Sequence, residues 1–266
     1  MTESCYRIDL AYIGTRYSGF QSQTDNNAIQ NHVEKALATF FRHPVRIKGA
    51  SRTDRGVHAE QQVLVFKTSK TFDPKLWRYA LNGILPKDIA VLKINPIAAS
   101  FNPIRHACGK AYRYRMWLGK NPHPFIRDFV WPVLPQLDVE RLHNAAQYLV
   151  GFHDFTSFCN ADSDAKTKTR RIFAITVQQK GPLIDFWIIG EGFLKQMVRT
   201  IVGTLYDLSL QDRLEDLPSI LAKQDRKAGG QTAPAKGLSL VAVFYDKVES
   251  VEYLTSLSEA GYSFAL

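Results

Sequence analysis

A chain of 266 residues, 45% of them hydrophobic, can build a full core in one large domain or two closely packed ones. Its 34 lysines and arginines outnumber 25 acids, and a net charge of +9 argues for a polyanionic partner. Cys5, Cys108 and Cys159 lie far apart with no CxxC pair, which argues against a disulfide framework or a cysteine zinc site and for a reducing compartment. Glu3 precedes any apolar run, unlike the layout of a signal peptide, and no apolar stretch approaches the ~18 residues of a membrane span. The expectation is a cytoplasmic protein with no membrane partner.

Tyr6, Ile8, Leu10 and Tyr12 alternate with less apolar residues, as a half-buried strand requires. A polar loop over 14–27 leads to a helix with Ile29, Val33, Leu37 and Phe40 at helical spacing, which Asn26 or Asn27 can cap. Strands are predicted over 45–48 and 62–67, a helix from Pro74 to 82–83, and a strand over 89–94. The segment 95–109, with Pro96, Pro103 and Gly109, is the candidate junction. Beyond it the order repeats: a strand over 110–118, a helix capped by Asp138 that stops at Gly151, and strands over 171–178 and 183–189. A helix over 193–208, an inserted helix over 214–223 and a last strand over 238–245 complete the chain. Strand-helix-strand-strand-helix-strand, twice, is the order of two ferredoxin-like halves, residues 1–104 and 105–266, in an α+β fold.

Five stretches carry the residues with chemical potential. Gly49-Ala50-Ser51-Arg52-Thr53-Asp54-Arg55-Gly56-Val57-His58-Ala59 is a charged loop between two apolar strands. Arg52 and Arg55 are close enough in sequence to favour the ionised form of Asp54; the plainer alternative is a solvated turn with a local salt bridge. Lys110-Ala111-Tyr112-Arg113-Tyr114-Arg115 alternates aromatics and bases, so a strand places the tyrosines on one face and the arginines on the other. Such a face suits unpaired bases and phosphates, or it is an ordinary edge strand with core tyrosines. In Gly151-Phe152-His153-Asp154-Phe155-Thr156-Ser157-Phe158, the His-Asp pair invites a metal or acid–base reading, but the three phenylalanines read as a packed helix–loop corner and no third ligand stands at a recognisable spacing. Lys166, Lys168, Arg170 and Arg171 form either a solvated face or an RNA-contacting loop. In Gly192-Phe193-Leu194-Lys195-Gln196-Met197-Val198-Arg199, a helix would align Phe193 and Met197 with Ile201 and Leu205, and bring Lys195 beside Arg199.

Arg52-Thr53-Asp54-x-Gly56-Val57-His58-Ala59 resembles the active-site signature of the TruA-type tRNA pseudouridine synthases. The Tyr112 strand, the 151–158 and 192–199 motifs, and Thr232-Ala233-Pro234-Ala235-Lys236-Gly237-Leu238-Ser239-Leu240 are similar to further motifs of that family, so the resemblance spans about residues 6 to 246. Ser51 stands where glycine is usual, Arg55 where a small residue is usual, and Gln196 where bacterial relatives often have histidine. The resemblance implies the pseudouridine synthase fold: two ferredoxin-like halves sharing a largely antiparallel sheet, with a cleft between them. It implies Asp54 as nucleophile, Tyr112 as the group that stacks on the target uracil and moves a proton, and Arg199 as the cation paired with Asp54. Arg52 would help to extrude or replace the flipped base, with Arg55, His58, Lys166, Lys168, Arg170, Arg171 and Lys195 among the RNA-binding residues. The implied substrate is the anticodon arm of tRNA at positions 38, 39 and 40, held by a homodimer. The isomerisation has no net redox change, and the chain carries no GxGxxG fingerprint, Walker loop or metal-ligand cluster, so neither cofactor nor metal is expected. The alternatives from other classes are an RNA-binding protein or chaperone that uses the same basic and aromatic surface, and, more distantly, a metal-dependent hydrolase. An RNA binder has no need of a nucleophilic aspartate beside an arginine; metal analysis tests the other.

Overall fold

The computed structural model describes residues 3–70, 73–134, 136–246 and Tyr253. The first elements are β1 (Ser4–Tyr12), α1 (Ile29–Phe41), β2 (Ile47–Gly49), β3 (His58–Thr68), α2 (Pro74–Ile84) and β4 (Ile89–Ile97). They are followed by β5 (Gly109–Leu118), β6 (Trp131–Val133), α3 (Val139–Ala146), β7 (Gly151–Asp154), β8 (Thr169–Lys180) and β9 (Leu183–Gly190). Helices α4 (Met197–Leu210) and α5 (Leu217–Lys223) and strand β10 (Leu238–Phe244) close the chain. Two compact units result: residues 3–107 with Leu240–Tyr245, and residues 108–239.

In the first unit β1 lies between β3 and β4, antiparallel to both, and β2 pairs antiparallel with β3. That is the strand arrangement of a ferredoxin-like βαββαβ half. The alternation of β1 buries Tyr6, Ile8, Leu10 and Tyr12. Tyr6 and Phe66 stack across the β1–β3 ladder, and Trp77 of α2 lies 4.6 Å from the Tyr6 ring and 5.1 Å from that of Phe41 on α1. The two helices are thus tied to one sheet face by a single aromatic cluster. Trp77 has no exposed surface; truncating a side chain of this size in a core costs about 3–5 kcal/mol, a large part of a domain's whole stability of ~5–15 kcal/mol.

In the second unit β9 runs between β5 and β8, and β7 pairs with β8, all antiparallel; β6 lies parallel to β5. From Ile184 to Gly190 every residue of β9 is buried, as expected of a central strand covered on both faces. Helix α4 supplies Met197, Ile201 and Leu205 to this core, and α3 supplies Leu142, Ala145 and Ala146. Asp138 caps α3 through the Arg141 amide, and Asp73 caps α2 through the Lys75 amide, with Pro74 in its first turn. Among the described residues no helix is long and apolar enough to cross a membrane.

Several local expectations give way to tertiary demands. Helix α1 is preceded not by an asparagine cap but by Ala28; Asn27 donates its side chain to the Arg16 carbonyl, and Asn31 reaches back to the Ala28 amide. The helix expected from Phe193 starts at Met197, because Gln196 takes a left-handed conformation (φ 63°) that a helix cannot contain. Lys195 and Arg199 are therefore not neighbours on one helix, and Phe193 stands outside the apolar row. The 151–158 motif is a strand followed by a short 3-10 turn, and Phe152 is exposed while Phe155 and Phe158 are buried. Leu240–Tyr245, expected with the second half, groups with the first unit, where β10 follows β3 in the strand order. There Arg7 stacks on Tyr245, whose hydroxyl donates to the Pro103 carbonyl.

Candidate active site

The loop that carries Asp54 is fixed largely through its backbone. Ala50 donates to the Val63 carbonyl, and fully buried Gln62 bonds both the amide and the carbonyl of Ser51. The Thr53 carbonyl accepts from the Phe20 amide, and its hydroxyl lies 2.8 Å from that of Tyr12. The Val57 amide closes a turn on the Asp54 carbonyl, with Gly56 at φ 80° in the position where a type II turn demands positive φ. Thr53 and Val57 are buried on either side, while Asp54 is half-buried and Arg52 exposed. This is a rigid turn presenting one carboxylate, with cations at its rim.

Three neighbours in the unit refine what the sequence suggested. Arg55 turns to Asp25 (3.4 Å) and the Ser18 hydroxyl (3.2 Å). Hydrogen bonds from Ser18 and then the Asn27 amide hold Asp25 below the usual carboxylate range, so that pair is charged at neutral pH. His58, expected to meet RNA, is buried, and its Nδ1 accepts from the Gly14 amide; it supports the loop from beneath, as a neutral ring with its proton on Nε2. Gly19 is the residue that sequence reading passed over. Its φ is +90°, and a Cβ there would stand 2.7 Å from the Thr53 carbonyl oxygen and 3.2 Å from the Arg55 nitrogen. Gly19→Ala therefore pushes directly on the peptides around Asp54. On the role that the resemblance implies for Asp54, displacements of about 1 Å cost on the order of 100-fold in turnover, so single-turnover rates should fall by about that factor. A parental rate in this variant removes Gly19 from the support of the loop.

In the second unit β5 places Lys110, Tyr112 and Tyr114 on one face. Tyr112 is buried, with its ring edge-on to Phe193 at 5.1 Å. Tyr114 is a core residue: its hydroxyl donates to the Pro234 carbonyl, Gly237 lies flush against its ring, and burial pushes its pKa far up. Burial, with help from the charge of Arg170, pushes Lys110 down to about 8. On the opposite face Arg113 stacks over Trp187 at 5.0 Å and Arg115 pairs with Asp185, so both arginines are engaged inside the unit rather than turned to phosphates.

Arg199, in the first turn of α4, donates its Nε to the Ala233 carbonyl, while its own carbonyl accepts from the Ala233 amide. The closing motif, residues 232–240, is thereby strapped to the start of α4, and the chain entering it crosses the helix at Gly203, where a Cβ would meet the Gln231 carbonyl oxygen at 2.0 Å. Asn160 bonds the Gln196 side chain and the Lys195 carbonyl, holding the left-handed residue that sets where α4 begins. His153 and Asp154 serve local structure: Nε2 of His153 lies 2.9 Å from the Val150 carbonyl, and Asp154 accepts from the Thr156 amide and hydroxyl. In the basic stretch, Arg170 spends its guanidinium on the carbonyls of Thr167 and Thr169, whereas Lys166 and Arg171 are exposed. A separate groove of about 530 Å³, lined by Arg78, Tyr79, Asn82, Gly83, Val91 and Leu92, contains none of the motif residues.

A family described as tRNA pseudouridine synthase matches residues 10–103 and 145–246. Those segments contain the Asp54 loop, Arg199 and the closing motif; Tyr112 lies between them. Three proteins called tRNA pseudouridine synthase A are similar over most of the chain. That of Geotalea uraniireducens is 40% identical over 240 residues, 90% of this chain and 98% of its own. That of Moorella thermoacetica is 40% identical over 91% of this chain and 99% of its own. That of Acetivibrio thermocellus is 38% identical over 90% and 98%.

Proposed function

This chain belongs to the tRNA pseudouridine synthase family, and on that premise we propose that it modifies the anticodon arm of tRNA, at positions 38 to 40, with Asp54 as nucleophile. Members isomerise uridine to pseudouridine in tRNA, and this chain is such an isomerase. The N1–C1′ bond of the nucleoside breaks, a C5–C1′ bond forms, the C5 proton leaves and N1 gains one; no electrons are exchanged with a cofactor. What the protein must supply is an ionised nucleophile, a place for a base out of its stack, and a route for the C5 proton.

The observation that carries the assignment is the Asp54 turn: a half-buried carboxylate on a backbone braced by Thr53, Val57, Ser51 and Gly19. The family motifs supply the other roles. Tyr112 stacks on the flipped uracil and takes part in proton transfer. Arg199, aimed by the Ala233 carbonyl, keeps the nucleophile ionised. Exposed Arg52 helps to extrude the base. Lys195, Lys166, Lys168 and Arg171 meet phosphates. Arg55 joins them by exchanging Asp25, since a solvent-exposed pair of this kind is worth only ~0–1 kcal/mol. His58 and Arg170 act by holding their loops. The enzyme works as a homodimer in the cytoplasm. Tritium release from tRNA labelled at uracil C5, followed by mapping of the modified position, tests this reading: release mapping to 38–40 supports it, and modification in another arm overturns the site.

Affinity resting on phosphates carries a salt signature. The logarithm of tRNA affinity should fall steeply with the logarithm of salt concentration. Substituting Lys166, Lys168 and Arg171 together by glutamine lowers that slope by about three, one for each lost contact, while kcat at saturating tRNA stays close to the parent's. An unchanged slope places the RNA elsewhere.

A further inference from the structure

We infer that Phe152, paired across the strands with Arg171, is a stacking platform for an unpaired base of the RNA substrate. This inference rests on the proposed tRNA substrate and adds a subsite that the family motifs do not assign. Phe152 lies on β7, which ends the strand order of the second unit. It is 69% exposed, although Phe155 and Phe158 of the same motif are fully buried. Burying a phenylalanine is favourable, and here that gain is forgone. A lone exposed apolar residue needs no explanation, but this one has a particular neighbour. The β7–β8 register sets Phe152 directly opposite Arg171, which is also exposed and whose guanidinium makes no hydrogen bond or ion pair among the described residues. Strand β7 is braced locally on both sides of Phe152. Gly151 turns into the strand at φ +112°, the His153 imidazole is bonded to the Val150 carbonyl, and Asp154 is tied to Thr156.

An exposed aromatic ring that strand register sets opposite a planar cation offers a surface on which unpaired bases stack, and it tolerates any base because every base has a π-face. Lys166 and Lys168 lie just upstream in the chain, and the 162–171 stretch carries four bases against two acids, Asp162 and Asp164. That charge balance favours a polyanion over a second copy of this basic chain.

The test uses the full-length enzyme and a tRNA substrate, with affinity measured at several salt concentrations and single-turnover rates alongside. Phe152→Ser should weaken tRNA binding roughly 5- to 150-fold, the equivalent of one stacked base at ~1–3 kcal/mol, with no change in the salt slope. Phe152→Trp should restore the affinity. Arg171→Gln should lower the slope by about one. Parental affinity in Phe152→Ser, or no rescue by tryptophan, overturns the platform. So does a serine variant whose sedimentation shifts to a smaller species, because Phe152 would then be covering another copy. A parent enzyme that releases no tritium from tRNA overturns the substrate reading itself, and the platform with it.

Discussion

Asp54→Asn should abolish turnover while leaving tRNA affinity near that of the parent. Asparagine matches aspartate in size, and the bonds that shape the loop run through the carbonyls of Thr53 and Asp54, the amides of Ala50, Ser51 and Val57, and the Gln62 side chain. These bonds do not use the substituted oxygen and are kept in the variant. What is lost is an ionised oxygen able to form a covalent bond, and removing a nucleophile costs on the order of 10⁴-fold or more, about 5 kcal/mol or more of barrier at ~1.36 kcal/mol per decade. Affinity, on the function proposed, rests on phosphate contacts distributed over many cations. Single-turnover assays with saturating enzyme, paired with equilibrium binding, separate the two quantities. Turnover within about tenfold of the parent would sink the assignment of Asp54.

Substitutions at Tyr112 should separate stacking from proton transfer. Tyr112 is buried and meets Phe193 edge-on, so Tyr112→Phe retains the ring and its neighbour and loses only a hydroxyl. If that hydroxyl moves a proton, the phenylalanine variant binds tRNA as the parent does but turns over about 10²- to 10⁴-fold more slowly, the usual worth of a positioned acid or base. Tyr112→Leu removes the ring as well; tRNA binding then weakens by the ~1–3 kcal/mol of a stacked base, on top of the lost chemistry. Thermal melting of both variants controls for the loss of core packing. A fully active phenylalanine variant confines Tyr112 to stacking, and a fully active leucine variant removes it from the site.

Much of the first unit is legible in one dimension because its signals are local. The alternation of Tyr6, Ile8, Leu10 and Tyr12 dictates a strand with one buried face, and Pro74, like Asp138 in the second unit, marks a helix start because a fixed φ or a side-chain oxygen acts within one turn. The Asp54 turn is equally readable: Gly56 is needed for positive φ, and the charged residues cannot continue either apolar strand. The motif residues themselves, Asp54, Tyr112 and Arg199, are fixed by the order of the chain.

Tertiary structure decided the rest, where one residue's conformation answers to residues far away. Gln196 adopts a left-handed backbone at a cost of about 1–2 kcal/mol; nothing in its type signals this, and Asn160, 36 positions earlier, bonds its side chain. That one conformation moves the start of α4 to Met197 and separates Lys195 from Arg199. His58 reads as a polar loop residue until the Gly14 amide turns out to be its partner, 44 positions away. Gly19 looks like one turn glycine among others, and only the approach of the Thr53–Arg55 backbone makes a Cβ there intolerable. Phe152 and Phe155 are the same amino acid three positions apart. Pairing with β8 sets Phe152 opposite Arg171 and facing water, whereas Phe155 lies beyond the strand, at the start of the 3-10 turn that carries it into the core; where the strand ends is not written in either residue's type.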